Sequence, residues 1–211
     1  MSTKAGDTIA KLPHEKEGLN LIDITRKPVI DDVDRDDFLK ILDDADSTTS
    51  FGAAMGRSMP KAAVPAVLYL RGDLGAGKTT CARGLLHALG VTGAVRSPTY
   101  TLVETYSARG LECVHVDLYR LRGPEDLEDL GLRDYLVPGC LLLIEWPERG
   151  ATALPPPDID LKLGYRENDA AANGPDAGRD AALRAASNVG HAWLANLRKD
   201  TSISPYVANL T

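Results

Sequence analysis

The chain has 211 residues, of which 44% are hydrophobic, and it carries a formal net charge of −6 with a pI near 5.2. This length favours a single domain with a substantial core and is short for two domains. The net negative charge argues against a protein that binds nucleic acid by itself, because such proteins usually present a basic face. No stretch approaches the ~18 uninterrupted apolar residues of a membrane-spanning helix.

The three cysteines, Cys81, Cys113 and Cys140, show no C-x-x-C spacing, so we expect reduced, partly buried thiols rather than a disulfide framework or a zinc site. The first residues also lack the apolar core of a secretory signal peptide. We therefore expect a cytoplasmic protein without a membrane contact.

The chain begins with a charged segment, residues 1–45, that is poor in aromatic side chains and contains an acidic run at 31–37. This composition predicts a poorly ordered extension. Near its end, Phe38–Leu42 alternates enough to predict a first strand. The hydroxyl-rich residues 47–50 can then cap a helix that runs toward Met59.

A short apolar run at 66–70 predicts the next strand, and it is followed by a helix over Lys78–Leu89 that stops at a glycine. After a proline turn, the second half of 97–106 alternates like a strand. Its hairpin partner is predicted at 111–116, ending in Asp117.

The later elements continue the alternation of helices and strands. In chain order they are a helix at 125–135, a buried strand at 139–144, strands at Ile159–Tyr165 and 181–186 joined by a polar segment at 166–180, and a helix at 187–198. Strands alternating with helices predict an α/β fold, a three-layer sandwich with a mainly parallel central sheet and antiparallel edge strands. The ordered domain is expected at 46–199, followed by a tail at 200–211.

The most specific motif is a complete G-x-x-x-x-G-K-[ST] string between the predicted strand and helix. Its residues are Gly72, Asp73, Leu74, Gly75, Ala76, Gly77, Lys78 and Thr79. In such a P-loop, backbone N–H groups and the helix N-terminus hold the phosphates of a nucleotide. Lys78 is expected to reach the β- and γ-phosphates, Thr79 to offer a hydroxyl to Mg²⁺, and Thr80 to donate to the α-phosphate. The alternative is a glycine-rich turn that only caps the helix.

A Mg²⁺-nucleotide site also needs a carboxylate at the end of a neighbouring strand. Glu145 follows four apolar residues and Asp117 follows a similar but weaker run, although either can be a mere cap or surface charge.

Thr99 lies where a nucleotide-sensing loop would sit. Trp146 can pack over the nucleotide site or fill the core, and we slightly favour the core. The histidines are scattered along the sequence, so we expect no metal site built on them. No guanine-specific motif is present in the sequence, so adenine is the default base.

Four motifs in register, at residues 72–80, 97–104, 117–120 and 144–147, resemble the TsaE (YjeE-like) P-loop ATPases of bacteria over about residues 46–199. The resemblance implies a small cytoplasmic ATPase that takes ATP and Mg²⁺. It implies a role in threonylcarbamoylation of adenosine 37 in tRNAs reading codons that begin with A. It also implies that ATP hydrolysis keeps a TsaB–TsaD complex turning over and that tRNA is reached only through those partners.

The resemblance assigns roles to individual residues. It gives phosphate binding to the string from Gly72 to Lys78, and Mg²⁺ to Thr79 and Glu145. It gives hydrolysis or water orientation to Asp117, with Glu145 and Lys78 also in the catalytic set. Thr99 becomes the switch-loop threonine, and Thr48, in the turn before the first helix, lies near the base.

Two other function classes remain open. A small-molecule kinase shares the P-loop and the Mg²⁺ carboxylate but normally adds an arginine-bearing lid, for which Arg120, Arg122 and Arg133 are available. A nucleotide-dependent binding module would use ATP to order the switch loop without useful turnover.

The long extension at 1–45 and the connection at 166–180 depart from the family and leave the motifs untouched. No internal arginine finger is evident, so we expect weak ATPase activity alone and stimulation by partners.

Overall fold

A computed structural model describes residues 38–60, 65–150, 153–165 and 178–203. Seven strands form one sheet: β1 (Phe38–Leu42), β2 (Ala66–Arg71), β3 (Val103–Ala108), β4 (Leu111–Asp117), β5 (Cys140–Glu145), β6 (Ile159–Tyr165) and β7 (Arg179–Ala185). Four α-helices accompany them: α1 (Ala45–Ser58), α2 (Lys78–Leu89), α3 (Pro124–Glu128) and α4 (Asn188–Leu197). Two short 3₁₀ helices lie at Leu132–Tyr135 and Pro147–Arg149.

The strand order is β1-β7-β6-β2-β5-β4-β3. The four inner strands β6, β2, β5 and β4 are mutually parallel, whereas β7, β1 and β3 are added by antiparallel pairing. The predicted α/β fold with antiparallel edge strands is therefore confirmed. Because β5 lies between β2 and β4, the segment that follows β2 is brought beside the ends of β4 and β5.

Both faces of the inner sheet are covered, and β5 shows this most clearly. All six of its residues are buried, with Leu141 and Leu143 in one hydrophobic cluster and Leu142 and Ile144 in the other. The helices α1, α2 and α4 contribute to the first cluster, and the segment around α3 and the 3₁₀ helices contributes to the second. This two-sided burial explains why β5 reads as a continuous apolar run rather than an alternating one.

The first helix differs from its prediction at its N-terminus. Asp44, not one of residues 47–50, is the N-cap of α1 and forms a capping box with Ser47. Asp44 Oδ1 accepts a hydrogen bond from the Ser47 N–H, and the Ser47 hydroxyl oxygen accepts one from the Asp44 N–H. Thr48 is therefore inside the first turn of α1 and not in the turn before it. Along α1, a Cβ at Gly52 would lie 2.0 Å from the Cys81 carbonyl oxygen of α2, so the two helix backbones are in direct contact.

The helix predicted at 125–135 is wrong as one element. The segment forms α3 and then the separate 3₁₀ helix Leu132–Tyr135, because Gly131 adopts a left-handed conformation (φ 59°) between them. The other predicted helices and strands are confirmed with small shifts of their ends. All three cysteines are free and buried, and burial raises the pKa of the Cys81 thiol to about 12.

The predicted extension lies largely outside the described residues, as do most of the 166–180 connection and the end of the tail. The last part of 1–45 forms β1, which pairs with β7, and then enters α1. None of the helices in the described ranges combines the length and the apolar character that a membrane crossing requires.

Candidate functional site

A cavity of about 420 Å³ opens where β2, β4 and β5 end. Its lining is Leu74, Gly75, Gly77, Lys78, Thr79, Thr80, Ser97, Thr99, Asp117, Tyr119, Arg120, Glu145 and Trp146. Three separate parts of the sequence therefore meet in one place: the glycine-rich string, the loop before β3, and the ends of two neighbouring strands. This edge of an α/β sheet is where ligands commonly bind.

The glycine-rich string leads directly into α2. Gly77 is the N-cap of that helix with φ 102°, a left-handed conformation that favours glycine, and no side chain caps the helix there. The first backbone N–H groups of α2 thus lack an intrahelical partner and are suited to bind an anion. Gly75, Gly77, Thr79 and Thr80 line the cavity beside this helix end.

Lys78 is buried, and its ammonium is held by the loop that precedes it. Nζ donates to the carbonyl oxygens of Gly72 (2.7 Å) and Asp73 (2.8 Å). It also lies 3.8 Å from the centre of the Trp146 ring. Burial lowers the pKa of Lys78, while the nearby carboxylates, with Glu145 first, act in the opposite direction. A buried cation at this position can bind the phosphates of a nucleotide.

Glu145 is the last residue of β5 and is almost fully buried. The Thr79 hydroxyl donates to its carboxylate, at 2.9 Å from Oε1 and 3.1 Å from Oε2. His115 of β4 approaches Oε1 with its Nε2 at 2.9 Å. A carboxylate and a hydroxyl are hard oxygen donors, so this pair fits Mg²⁺, which usually takes few protein ligands and completes its shell with water and phosphate.

Asp117 is the last residue of β4 and lies opposite Glu145 in the register of the two strands. Its Oδ2 accepts hydrogen bonds from the Ser97 hydroxyl and from Thr99 Oγ1, the latter at 2.9 Å. Its Oδ1 accepts the Tyr119 backbone N–H at 2.9 Å. Asp117 is therefore tied to the loop before β3 rather than to the glycine-rich string, and it can orient a water molecule or a ligand beside that loop.

Trp146 lines the cavity and is also partly buried against the second hydrophobic cluster, so both sequence-based alternatives hold in part. Its backbone has φ 58°, and its N–H donates to the Leu70 carbonyl oxygen at 3.2 Å. The indole ring packs against Tyr119, with ring centres 5.0 Å apart, and faces the Lys78 ammonium. The left-handed turn directly after β5 directs this ring toward the cavity, and sequence periodicity carries no signal for such a turn.

Most of the predicted site residues lie together, and a few do not border the cavity. Ala76 is fully buried, and Gly72 and Asp73 contribute carbonyl oxygens to Lys78. Thr48 is buried in α1, where its hydroxyl donates to the Asp44 carbonyl oxygen at 2.8 Å and its methyl group lies beside Gly77.

Sequence reasoning missed two of the polar residues at this site. His115 showed no metal-ligand spacing, yet it contacts Glu145, and its place two residues before Asp117 on the same strand was the available signal. Ser97 belongs to the predicted nucleotide-sensing loop but was given no role of its own, although it contacts Asp117. Of the three arginines considered for a kinase lid, Arg120 lines the cavity, whereas Arg122 pairs with Asp126 and Arg133 is exposed.

A family model described as "Threonylcarbamoyl adenosine biosynthesis protein TsaE" matches residues 42–173, more than half of the chain. Among curated proteins, the chain is similar to the "tRNA threonylcarbamoyladenosine biosynthesis protein TsaE" of three bacteria. The Haemophilus influenzae protein is 51% identical over 48% of this chain and 65% of its own length. For the Rickettsia conorii protein these values are 40%, 49% and 59%, and for the Nostoc protein they are 39%, 57% and 75%.

The chain thus spans less than two thirds of the length of the first two of these relatives. Among solved structures, the Bacillus subtilis YdiB crystal structure superposes with a TM-score of 0.62 and 25% sequence identity, covering 78% of this chain and 95% of that one. The motifs that meet in the cavity, the family model and the relatives all agree. The chain belongs to the TsaE family.

Proposed function

We propose that this protein is a Mg²⁺-dependent ATPase that acts in the threonylcarbamoylation of adenosine 37 of tRNA, through a TsaB–TsaD complex. The observation that carries the proposal is the contact between Thr79, at the start of α2, and Glu145, at the end of β5, inside the cavity that Lys78 borders. A phosphate-binding helix end, a buried cation and a hard-oxygen pair are the parts that nucleotide hydrolysis needs. The names of the TsaE relatives support the pathway.

The residues divide the task as follows. The backbone N–H groups at the start of α2 and the Lys78 ammonium bind the phosphates, and Thr79 with Glu145 holds the metal. When bound, Mg²⁺ neutralises charge that develops on the phosphate oxygens. Asp117 orients the attacking water, and Thr99, which donates to Asp117, links the loop before β3 to the same event. Thr48, buried beside Gly77 and outside the cavity lining, supports the backbone of the phosphate-binding loop.

The cations and the exposed rim of the cavity bear on the proposed dependence on a partner. Phosphoryl transfer needs a cation near the transition state, and many P-loop enzymes receive it from another protein. In the described part of the chain, Arg120 is the one arginine that lines the cavity, and its guanidinium lies 4.2 Å from the centre of the exposed Tyr100 ring. Leu74 (72% exposed) and Tyr100 (84% exposed) give the site an apolar rim, which is typical of contact surfaces.

The test is ATP hydrolysis measured for the protein alone and after co-purification with TsaB and TsaD. We expect slow or negligible turnover alone and an increase of about tenfold or more in the complex. The Lys78→Ala variant should bind nucleotide weakly and stay inactive in both settings, whereas the exposed Lys199→Ala variant should behave like the wild type.

Equal rates with and without the partners would contradict the proposal. Transfer of phosphate to nucleosides or sugars would indicate the kinase instead. Nucleotide binding with no hydrolysis in the complex would indicate a binding module.

A further inference from the structure

His115 is a fully buried histidine in the middle of the sheet, beside the proposed metal site. It lies on β4 between Glu104 of β3 and Leu143 of β5 in the strand register, so neighbouring strands hold its backbone on both sides. Its Nε2 lies 2.9 Å from Oε1 of Glu145. The proposed function assigns no role to this side chain.

The chemistry of the contact defines which atom donates. An ionised carboxylate can only accept hydrogen bonds, so the hydrogen in this pair is carried by His115 Nε2. The other ring nitrogen, Nδ1, is buried and has no hydrogen-bond partner among the described residues. The ring therefore has one polar contact in the described part of the chain, and that contact is to Glu145.

The contact constrains a side chain that would otherwise have freedom at the site. The Glu145 carboxylate is joined to β5 by rotatable bonds, and its terminal torsion is broad. The Thr79 hydroxyl lies within hydrogen-bond distance of both oxygens, so it does not select one of them. His115 contacts Oε1 alone and thereby distinguishes the two oxygens. Oε2, which the Thr79 hydroxyl also approaches, would be available to the cation.

We propose that His115 is a positioning residue that holds Glu145 in the orientation needed to bind the divalent cation. The inference rests on the proposed function, because it presumes that Glu145 is a metal ligand. Donors that orient a ligating side chain commonly contribute about 10- to 100-fold in metal affinity. His115 and Asp117 lie two residues apart on β4, on the same face, so one rigid strand presents both the donor for Glu145 and the second carboxylate.

Three substitutions at His115 distinguish the effect of losing the hydrogen-bond donor from the effect of losing the volume of the ring. His115→Gln places an amide N–H₂ near the position of Nε2, His115→Asn carries the same amide but falls short of Glu145, and His115→Leu removes the donor. The readouts are Mn²⁺ affinity of the ADP-bound protein, measured by electron paramagnetic resonance, and ADP affinity in the presence of EDTA. Thermal unfolding shows whether each variant is folded.

We expect the Asn and Leu variants to bind Mn²⁺ about 10- to 100-fold more weakly, with ADP affinity in EDTA unchanged, and the Gln variant to retain most of the Mn²⁺ affinity. Equal Mn²⁺ binding by the Asn and Gln variants, or a parallel loss of ADP affinity in EDTA, would overturn the inference. If the Leu variant is unfolded, the Asn and Gln pair decides alone. If the wild-type ADP complex binds no Mn²⁺, the proposed function itself fails, which is a distinct result.

Discussion

Two carboxylates at the ends of neighbouring strands occupy equivalent places in the sheet and yet have different partners. Glu145 of β5 and Asp117 of β4 face each other in register and are both buried. Glu145 contacts Thr79 of the P-loop helix, whereas Asp117 contacts Thr99 and its neighbour Ser97 in the loop before β3. Position in the sheet alone therefore does not define the role of a strand-end acid.

The strand order explains the difference. β5 lies beside β2, the strand that leads into the P-loop, so its last residue is brought to the start of α2. β4 lies beside β3, the strand that the 97–102 loop enters, so its last residue is brought to that loop. We infer that Glu145 belongs to phosphate and metal binding and that Asp117 belongs to the step that senses or activates the reacting water.

The largest expected effect is that of Glu145→Gln, which removes the proposed metal ligand but keeps the volume of the side chain. ATP hydrolysis in the partner complex should fall by about 10³-fold, because charge stabilisation at the transition state is lost. Nucleotide affinity in EDTA should change little. Single-turnover hydrolysis and ADP titrations measure these two quantities.

The control for that variant is Glu148→Gln, which alters an exposed acid nearby that pairs with Arg71. It should leave hydrolysis and binding unchanged. If Glu145→Gln kept its hydrolysis rate, the assignment of the metal ligand would move to Asp117.

Asp117→Asn is expected to have the second-largest effect. The hydrolysis rate should fall by about 10²-fold, because a group that orients the attacking water or accepts its proton commonly contributes a factor of that size. The Mg²⁺ dependence of nucleotide affinity should persist, because Glu145 and Thr79 remain in place. A variant that lost this Mg²⁺ dependence would show that the two acids share the metal, and the contrast between them would be lost.

Thr99→Val tests the loop partner of Asp117. Loss of one hydrogen bond to a charged group should slow hydrolysis by about tenfold, while nucleotide affinity is retained. Thr101→Val, in the same loop but exposed, is the matched control. Equal effects of the two substitutions would mean that the loop has no specific link to Asp117.

The smallest expected effect is on the pH dependence of ADP affinity, which both carboxylates influence through their charge beside Lys78. Burial lowers the pKa of Lys78, so its ammonium loses its proton at a lower pH than an ordinary lysine. Because phosphate binding favours the charged form, ADP affinity should fall as the pH rises through that pKa, by roughly a few-fold before ordinary lysines titrate. Lys78→Arg, which stays charged, should flatten the profile. An unchanged profile in this variant would assign the titration to another group.

Most of the fold and of the site could be predicted from the sequence because the signals are local. The pattern around the P-loop predicts β2 and the whole of α2, and the apolar run before Glu145 predicts a buried strand that ends in an acid. Even the antiparallel partner of β3 follows from alternation and spacing. These features depend on residues that are neighbours along the chain.

The missed features depend on contacts or turns that periodicity does not encode. The histidine at 115 acquires its partner only when β4 and β5 pair, and Trp146 reaches the cavity through a left-handed backbone. The break at Gly131 interrupts a pattern that reads as one helix. The sequence predicts the cap of α1 at residues 47–50, whereas Asp44 is the N-cap. Asp44 and Ser47 are both good N-cap residues, and the reciprocal contact between them selects Asp44.

The most direct test of the different roles of Glu145 and Asp117 is a Mn²⁺ titration of three ADP-bound proteins, with electron paramagnetic resonance as the readout. The proteins are the wild type, Glu145→Gln and Asp117→Asn. Metal affinity should fall by about 100-fold in Glu145→Gln, which loses the proposed direct ligand, and stay near the wild-type value in Asp117→Asn. Wild-type affinity in Glu145→Gln, or an equal loss in both variants, would contradict the account.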